Sequence, residues 1–312
     1  MMPLFPVSYR TARHLFAAAA GLSLAFASTV SVRAQSELAE PVYRVANETT
    51  TVLPGATADR ANVADANTLE AGAAFDFTQQ PGEHPLAPAI RVLKATLEHI
   101  DQNVHDYSAT LVKQERVDGE LAEHQHIFLK VRHEPFSVYM SFLKPFQGRE
   151  VLYVAGQNNN EMVVLEAGLK RMLGKINLAP DGMVAMRGQK HPITKVGIRN
   201  LTAEMIRKFE ADTRYAESDV TTNEGTKING RPTTMIQVVH PIPRQNFRAH
   251  VARVFLDNEL RVPIHYDAYL WPEQPGGQPP LDESYTYTNL KINNGYSARD
   301  FDANSNPEIF KQ

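Results

Sequence analysis

A chain of 312 residues with 43% hydrophobic and 21% charged residues can bury one large core or two modest ones. Its formal net charge of -3 excludes a global electrostatic attraction to nucleic acid or to anionic membranes. It contains no cysteine, which excludes disulfides, thiol nucleophiles, thiolate metal sites and redox motifs.

The first residues address the chain. Arg10, Arg13 and His14 precede an apolar run from Leu15 to Ala27 that is shorter than the roughly 20 residues needed to span a bilayer. Val32-Arg33-Ala34 then places small or tolerated residues where a signal peptidase inspects them. A signal peptide over 1–34, cleaved after Ala34, is therefore expected, with the mature chain periplasmic or otherwise exported. From 35 to 84 the sequence is rich in Ala, Thr, Asn, Glu and Pro without sustained period and reads as a disordered leader. Asn47-Glu48-Thr49 within it has the form of a glycosylation acceptor.

Order is expected from about Pro85. Leu86, Ile90, Leu93, Leu97, Ile100 and Val104 recur at steps of four and three, so they form one stripe of a helix with Arg91, Lys94, Glu98 and Asp101 opposite. A series of strands follows. Tyr107 to Arg116 runs into the hairpin dipeptide Asp118-Gly119, and the return spans Glu123 to Arg132. Phe136 to Leu143, Val151 to Ala155 and Met162 to Glu166 continue the pattern. Leu201 to Ala216 reads as a second helix, with Leu201, Met205 and Phe209 on one face and Thr202 as its cap. Val220 to Ile228 meets Thr233 to His240 across Asn229-Gly230, a type I′ signal. Val251 to Leu256, Leu260 to Tyr269 and, after a Pro/Gly loop over 272–280, Glu283 to Ile292 complete the set. Hairpin-linked strands without a βαβ period predict an α+β fold over 85–312: a strongly curved antiparallel sheet, or half-barrel, with helices against its concave face.

Recognisable chemistry is sparse. The chain has no Gly-x-Ser-x-Gly elbow, Walker A loop, dinucleotide Gly-x-Gly-x-x-Gly or His-Glu-x-x-His, so no catalytic residues, cofactor or metal are assigned. His124 and His126 share one side of a strand but read as solvent-facing, with no closed ligand set near them. Between His240 and Arg253 three arginines, Arg244, Arg248 and Arg253, accompany two prolines, a composition suited to capturing a carboxylate or phosphate. Pairing of these arginines with acids such as Asp282 or Glu283 is the structural alternative. Phe136, Val138, Met140 and Phe142 alternate on one strand, as do Tyr285 and Tyr287 on another. They pack as core or, if the concave side is incompletely filled, line a cavity for a lipid-like ligand.

The helix over 86–104, the hairpin from Tyr107-Ser108-Ala109-Thr110-Leu111 to Asp118-Gly119, and His133-Glu134-Pro135-Phe136-Ser137-Val138-Tyr139 carry a resemblance. So do the His240–Arg253 segment, Tyr285-Thr286-Tyr287-Thr288-Asn289-Leu290-Lys291-Ile292-Asn293 and Asp300-Phe301-Asp302. Together they resemble bacterial domain-of-unknown-function family 1571, whose order of elements is similar to that of periplasmic lipoprotein carriers of the LolA/LppX type. The resemblance implies an antiparallel half-barrel whose apolar concave face is lidded by helices. The Arg244, Arg248 and Arg253 cluster departs from the pattern of the LolA-type carriers and argues against a simple lipoprotein-shuttle role.

The reading that joins these features is a non-enzymatic binder of a lipid-like or acylated amphiphile in the cell envelope. Its tail would lie on Phe136, Val138, Met140, Phe142, Tyr285 and Tyr287, and its anionic head would meet Arg244, Arg248 and Arg253. A lipid or lipoprotein acyl chain is the expected partner and nucleic acid is not. Two alternatives remain. One is an envelope protein-interaction module with a packed core, docking through an edge strand or the 272–280 loop. The other is a hydrolase with a scattered site, for which His240, His250 and His265 are the histidines to inspect beside carboxylates such as Asp212, Glu217, Asp267 and Glu283.

Overall fold

The computed structural model describes residues 74–310 and the backbone of 43–45. The signal-peptide segment, its cleavage site and the Asn47 acceptor lie outside the described residues. Packing begins upstream of Pro85: Phe75 is buried, and the Arg261 guanidinium lies 3.5 Å from its ring centre.

Thirteen strands form one antiparallel sheet. They are β1 (Tyr43–Val45), β2 (Asp106–Val117), β3 (Glu120–Leu121), β4 (Gln125–Arg132), β5 (Ser137–Lys144), β6 (Glu150–Val154) and β7 (Met162–Leu165). The remainder are β8 (Lys175–Leu178), β9 (Asp219–Ile228), β10 (Arg231–Val239), β11 (Val251–Asp257), β12 (Pro263–Tyr269) and β13 (Leu281–Ile292). Their order is β1-β9-β10-β11-β12-β13-β2-β4-β5-β6-β7-β8, with β3 paired only to β2. The path ends on β1 and β8, so the sheet is not closed. Most neighbours are sequential hairpins, as the turn dipeptides predict: Asp118 and Asn229 both adopt positive φ, and each is followed by a positive-φ glycine. The join that sequence does not announce is β13 onto β2, which places Tyr285 opposite Lys113 and Glu283 opposite Glu115.

Helix α1 (Ala87–Asn103) buries Ile90, Leu93 and Ile100 of the predicted stripe. A short turn α2 (Met183–Met186) precedes helix α3 (Ile198–Asp212). Helix α3 starts earlier than expected, on Gly197, and Thr202 is not its cap: its hydroxyl donates to the Ile198 carbonyl inside the helix. Leu93 of α1 and Met205 and Phe209 of α3 share a core with Ile236, Val254 and Tyr266 of β10–β12. A second core joins Leu111, Ile127, Met140 and Val151 on the same face of β2 to β6. On the opposite face Phe301, Ile309 and Phe310 cover Tyr139, Leu152 and Leu165. Asp106 anchors the chain leading there, accepting the backbone N–H of Asn294, Gly295 and Tyr296 at 2.6–3.1 Å.

Candidate ligand-binding cavity

Alternation along the strands puts Leu111, Ile127, Met140, Phe142, Val151, Val164 and Ile176 on one face of β2 and β4 to β8. The chain over 180–196 and helix α3 stand over that face without filling the space beneath. A cavity of about 630 Å³ remains. Its wall changes character along its length. The β4–β8 side is aliphatic and aromatic, closed by Val184, Ala185 and Ile193, while the β2–β13 side carries Lys113, Glu115, Gln189, His191, Lys208, Glu283 and Tyr285.

The polar end holds two carboxylates that face one another across neighbouring strands. Glu115 and Glu283 are register partners, and each is only 4% exposed. Like charges so placed repel, and the surrounding groups offset this. Lys113 Nζ lies 3.1 Å from Glu115, His191 Nε2 lies 2.8 Å from Glu283, and Lys208 Nζ lies 3.7 Å from Glu283. The Tyr285 hydroxyl sits 2.7 Å from Glu115 and 3.0 Å from Glu283. Having one proton, it serves one carboxylate at a time. Burial, followed by the charges of Glu283 and Glu115, pushes the Tyr285 phenol up, so it stays protonated as that donor. Burial also pushes the Glu283 carboxyl up, but the His191 hydrogen bond and the charges of Lys208, His191 and Lys190 outweigh it and hold the carboxyl down at about 2.

Polar contacts at this end strap the roof to the floor. The Lys190 N–H donates to Glu115 at 3.1 Å, Lys113 Nζ donates to Gln189 at 2.5 Å, and Lys190 Nζ pairs with Asp282 at 2.5 Å. Gly197, at the turn into α3, has φ +113°, and a Cβ there would stand 2.8 Å from the Tyr107 hydroxyl. That hydroxyl accepts the Ile198 N–H at 3.1 Å, which fixes the start of the roof helix.

The charged lining is mostly basic. Eight lysines and arginines face four glutamates, in a chain whose net charge is negative. Four of the basic groups pair with those glutamates: Lys113 with Glu115, Arg149 with Glu166, Arg207 with Glu204 and Lys208 with Glu283. Lys170, Arg187, Lys195 and Arg248 form no salt bridge among the described residues and remain for an anion.

The sequence-predicted residues divide. Met140, Phe142, Tyr285, Tyr287 and Arg248 line the cavity. Val138 is wholly buried in the core, and Phe136 packs against Tyr153, their ring centres 6.3 Å apart. The three arginines do not gather. Arg244 is bound to Glu217 and lies 5.3 Å from the Tyr215 ring. Arg253, on β11, alternates with core residues Ala252 and Val254, so it points to the other face, bonded to Gln237 and beside Asp267.

The histidines read as candidates lie elsewhere. His240 bonds the Ala249 carbonyl and stacks on Phe247, His250 bonds the His240 carbonyl, and His265 bonds Thr286. His126 is buried rather than solvent-facing, and His124 is half-buried. No group of three or more His, Asp or Glu among the described residues could hold a metal. Sequence reasoning missed His191, Gln189, Lys113, Glu115 and Lys208. Lys113 and Glu115 alternate with strand residues that face away from the cavity, and that placement of two charges in a buried strand was the one available signal.

Fold and cavity define an α+β protein whose single open antiparallel sheet carries an amphiphilic enclosure on one face. The chain belongs to the family described as a protein of unknown function, DUF1571, matched over residues 104–309. No curated protein matches it.

Solved structures to which the chain is similar include a lipoprotein-sorting protein domain, described as putative and outer-membrane, from Vibrio parahaemolyticus. It is 13% identical with a TM-score of 0.32, covering 68% of this chain and 95% of that one. Lipoprotein LppX of Mycobacterium tuberculosis is 14% identical with a TM-score of 0.37, covering 66% and 98%. A LolA superfamily protein from Nitrosomonas europaea is 7% identical with a TM-score of 0.28, covering 67% and 97%. Similarity of this order says nothing of a ligand.

Proposed function

We propose that the protein is an exported binder of a lipid-like or acylated amphiphile, held tail-first in the cavity. The carrying observation is one enclosure of about 630 Å³ with an apolar end between β4 and β8 and a charged end at β2, β13 and α3. That volume lies within the roughly 300–1,000 Å³ of small-molecule sites. Each methylene moved from water onto the apolar wall contributes about 0.8 kcal/mol. In this reading the sheet is a half-barrel, the cavity face is its concave face, and Arg248 and Lys195 receive an anionic head. The n-region and short apolar run before Ala34 support export.

A protein-docking module with a packed interior needs no such space. Among the described residues that line the cavity there is no Ser, Thr or Cys, so a hydroxyl or thiol nucleophile of those types is not offered there. Native mass spectrometry of protein purified from its own envelope, followed by organic extraction, tests the proposal. The expected result is a stoichiometric lipid or acylated molecule, depleted in a Met140→Trp variant whose indole enters the cavity. An apo mass that persists after incubation with envelope lipids overturns it.

A further inference from the structure

The rim of the cavity exposes apolar side chains that folding would ordinarily hide. A turn over Gly168–Leu173 precedes edge strand β8, and α2 follows it. Leu169, Met172, Leu173, Met183 and Val184 on these turns are 69–92% exposed. No other large hydrophobic residue among those described exceeds 49%. Single exposed apolar residues are ordinary, whereas a group of them on one rim marks an interaction surface. Both turns belong to the cavity mouth, since Lys170 of the first and Val184 of the second line it.

Charge identifies what meets this rim. Residues 168–190 contain Lys170, Arg171, Lys175, Arg187 and Lys190 against a single acid, Asp181, in a chain with net charge -3. Lys175 and Lys190 are engaged with Ala303 and Asp282, and Arg171 reaches Gly148 and Glu150. Lys170 and Arg187 are exposed and form no ion pair among the described residues. Protein interfaces are enriched in aromatic residues, Met and Arg and depleted in lysine, and residues 168–190 hold no aromatic side chain but three lysines. Here the most exposed tips are Leu, Met and Val with basic neighbours, the composition of segments that lie in the headgroup boundary of an anionic bilayer.

We propose that the 168–187 rim docks on an anionic lipid surface, with Leu169, Met172, Leu173, Met183 and Val184 entering the acyl boundary and Lys170 and Arg187 at the phosphates. This places the cavity mouth against the bilayer. The docking is independent of what the cavity holds, so mass spectrometry of the bound ligand and a measurement at the rim can fail separately.

The absence of cysteine allows a single reporter. Met172→Cys and Met183→Cys, each carrying an environment-sensitive fluorophore on the full chain, are mixed with vesicles of equal parts phosphatidylglycerol and phosphatidylethanolamine, or of phosphatidylcholine alone. Gln274→Cys in the 272–280 loop is the control. A blue shift is expected at 172 and 183 on the anionic vesicles and not at 274. Lys170→Gln and Arg187→Gln should each weaken partitioning about five-fold. No shift at 172 or 183 overturns the proposal and leaves the rim to a protein partner. An equal shift at 274 also overturns it, because the rim would then not be the surface that inserts.

Discussion

Glu283→Gln removes one charge from the buried end of the cavity while keeping its shape. Glu283 ordinarily titrates near 4.5 and is held at about 2 in the folded chain. At about 1.4 kcal/mol for each tenfold step, the difference amounts to about 3 kcal/mol of stability. Because the folded carboxyl is the stronger acid, this contribution is complete above the unfolded value near 4.5. It is lost as pH falls through the folded value near 2.

Glutamine mimics the protonated side chain at every pH. Wild type should therefore exceed E283Q by about 3 kcal/mol at pH 7, with the gap closing between about pH 4.5 and pH 2. Urea unfolding of both proteins at a series of pH values, followed by circular dichroism, measures the gap directly, and carboxylates remote from Glu283 cancel in the difference. A gap that stays constant across the range, or that is absent at pH 7, would refute the assignment of His191, Lys208 and Lys190 as the groups holding Glu283 ionised.

Gly197→Ala should destabilise the protein by about 2 kcal/mol or more, since a side chain is strained at φ +113° and its Cβ meets the Tyr107 hydroxyl at 2.8 Å. A change under about 0.5 kcal/mol by chemical denaturation would contradict this close approach. Among the arginines, Arg248→Ala should weaken uptake of an anionic acyl probe about ten-fold, the loss expected for a charge-assisted hydrogen bond. Arg244→Ala, whose side chain is already committed to Glu217 on the surface, should leave uptake unchanged. Equal losses in fluorescence titration of the two variants would show that the geometry does not separate them.

Much of the architecture is legible in the chain. The stripe through Leu86, Ile90, Leu93 and Ile100 has only one way to hide its apolar groups, and that is a helix laid on another surface. Asp118-Gly119 and Asn229-Gly230 accept positive φ cheaply, so their hairpins follow from local chemistry. The segment over 168–197 is different. It lacks a sustained period, and β8 and its flanking turns exist because β7 offers a free edge beside them. Thr202 misled because a hydroxyl near a helix start caps only if the preceding backbone leaves the helix there, and Gly197 supplies that departure earlier.

The site was less legible than the fold. Alternation selects Met140 and Phe142, but it cannot say whether a facing element fills the space above them. Val138 is wholly buried in the core and Met140 meets the cavity. Clustering of Arg244, Arg248 and Arg253 in sequence did not survive, because a strand sends Arg253 to the opposite face and a loop leaves Arg244 beside Glu217.

Local pattern by itself determined the helices, the hairpins and the antiparallel class, since these follow from side-chain period and turn conformation over a few residues. Tertiary structure alone decided that β13 returns to β2, that Glu115 and Glu283 meet there, and that the 180–196 chain closes over them. Those contacts join residues more than 70 positions apart, and no local preference encodes a pairing whose free energy arises only when the two strands share a face.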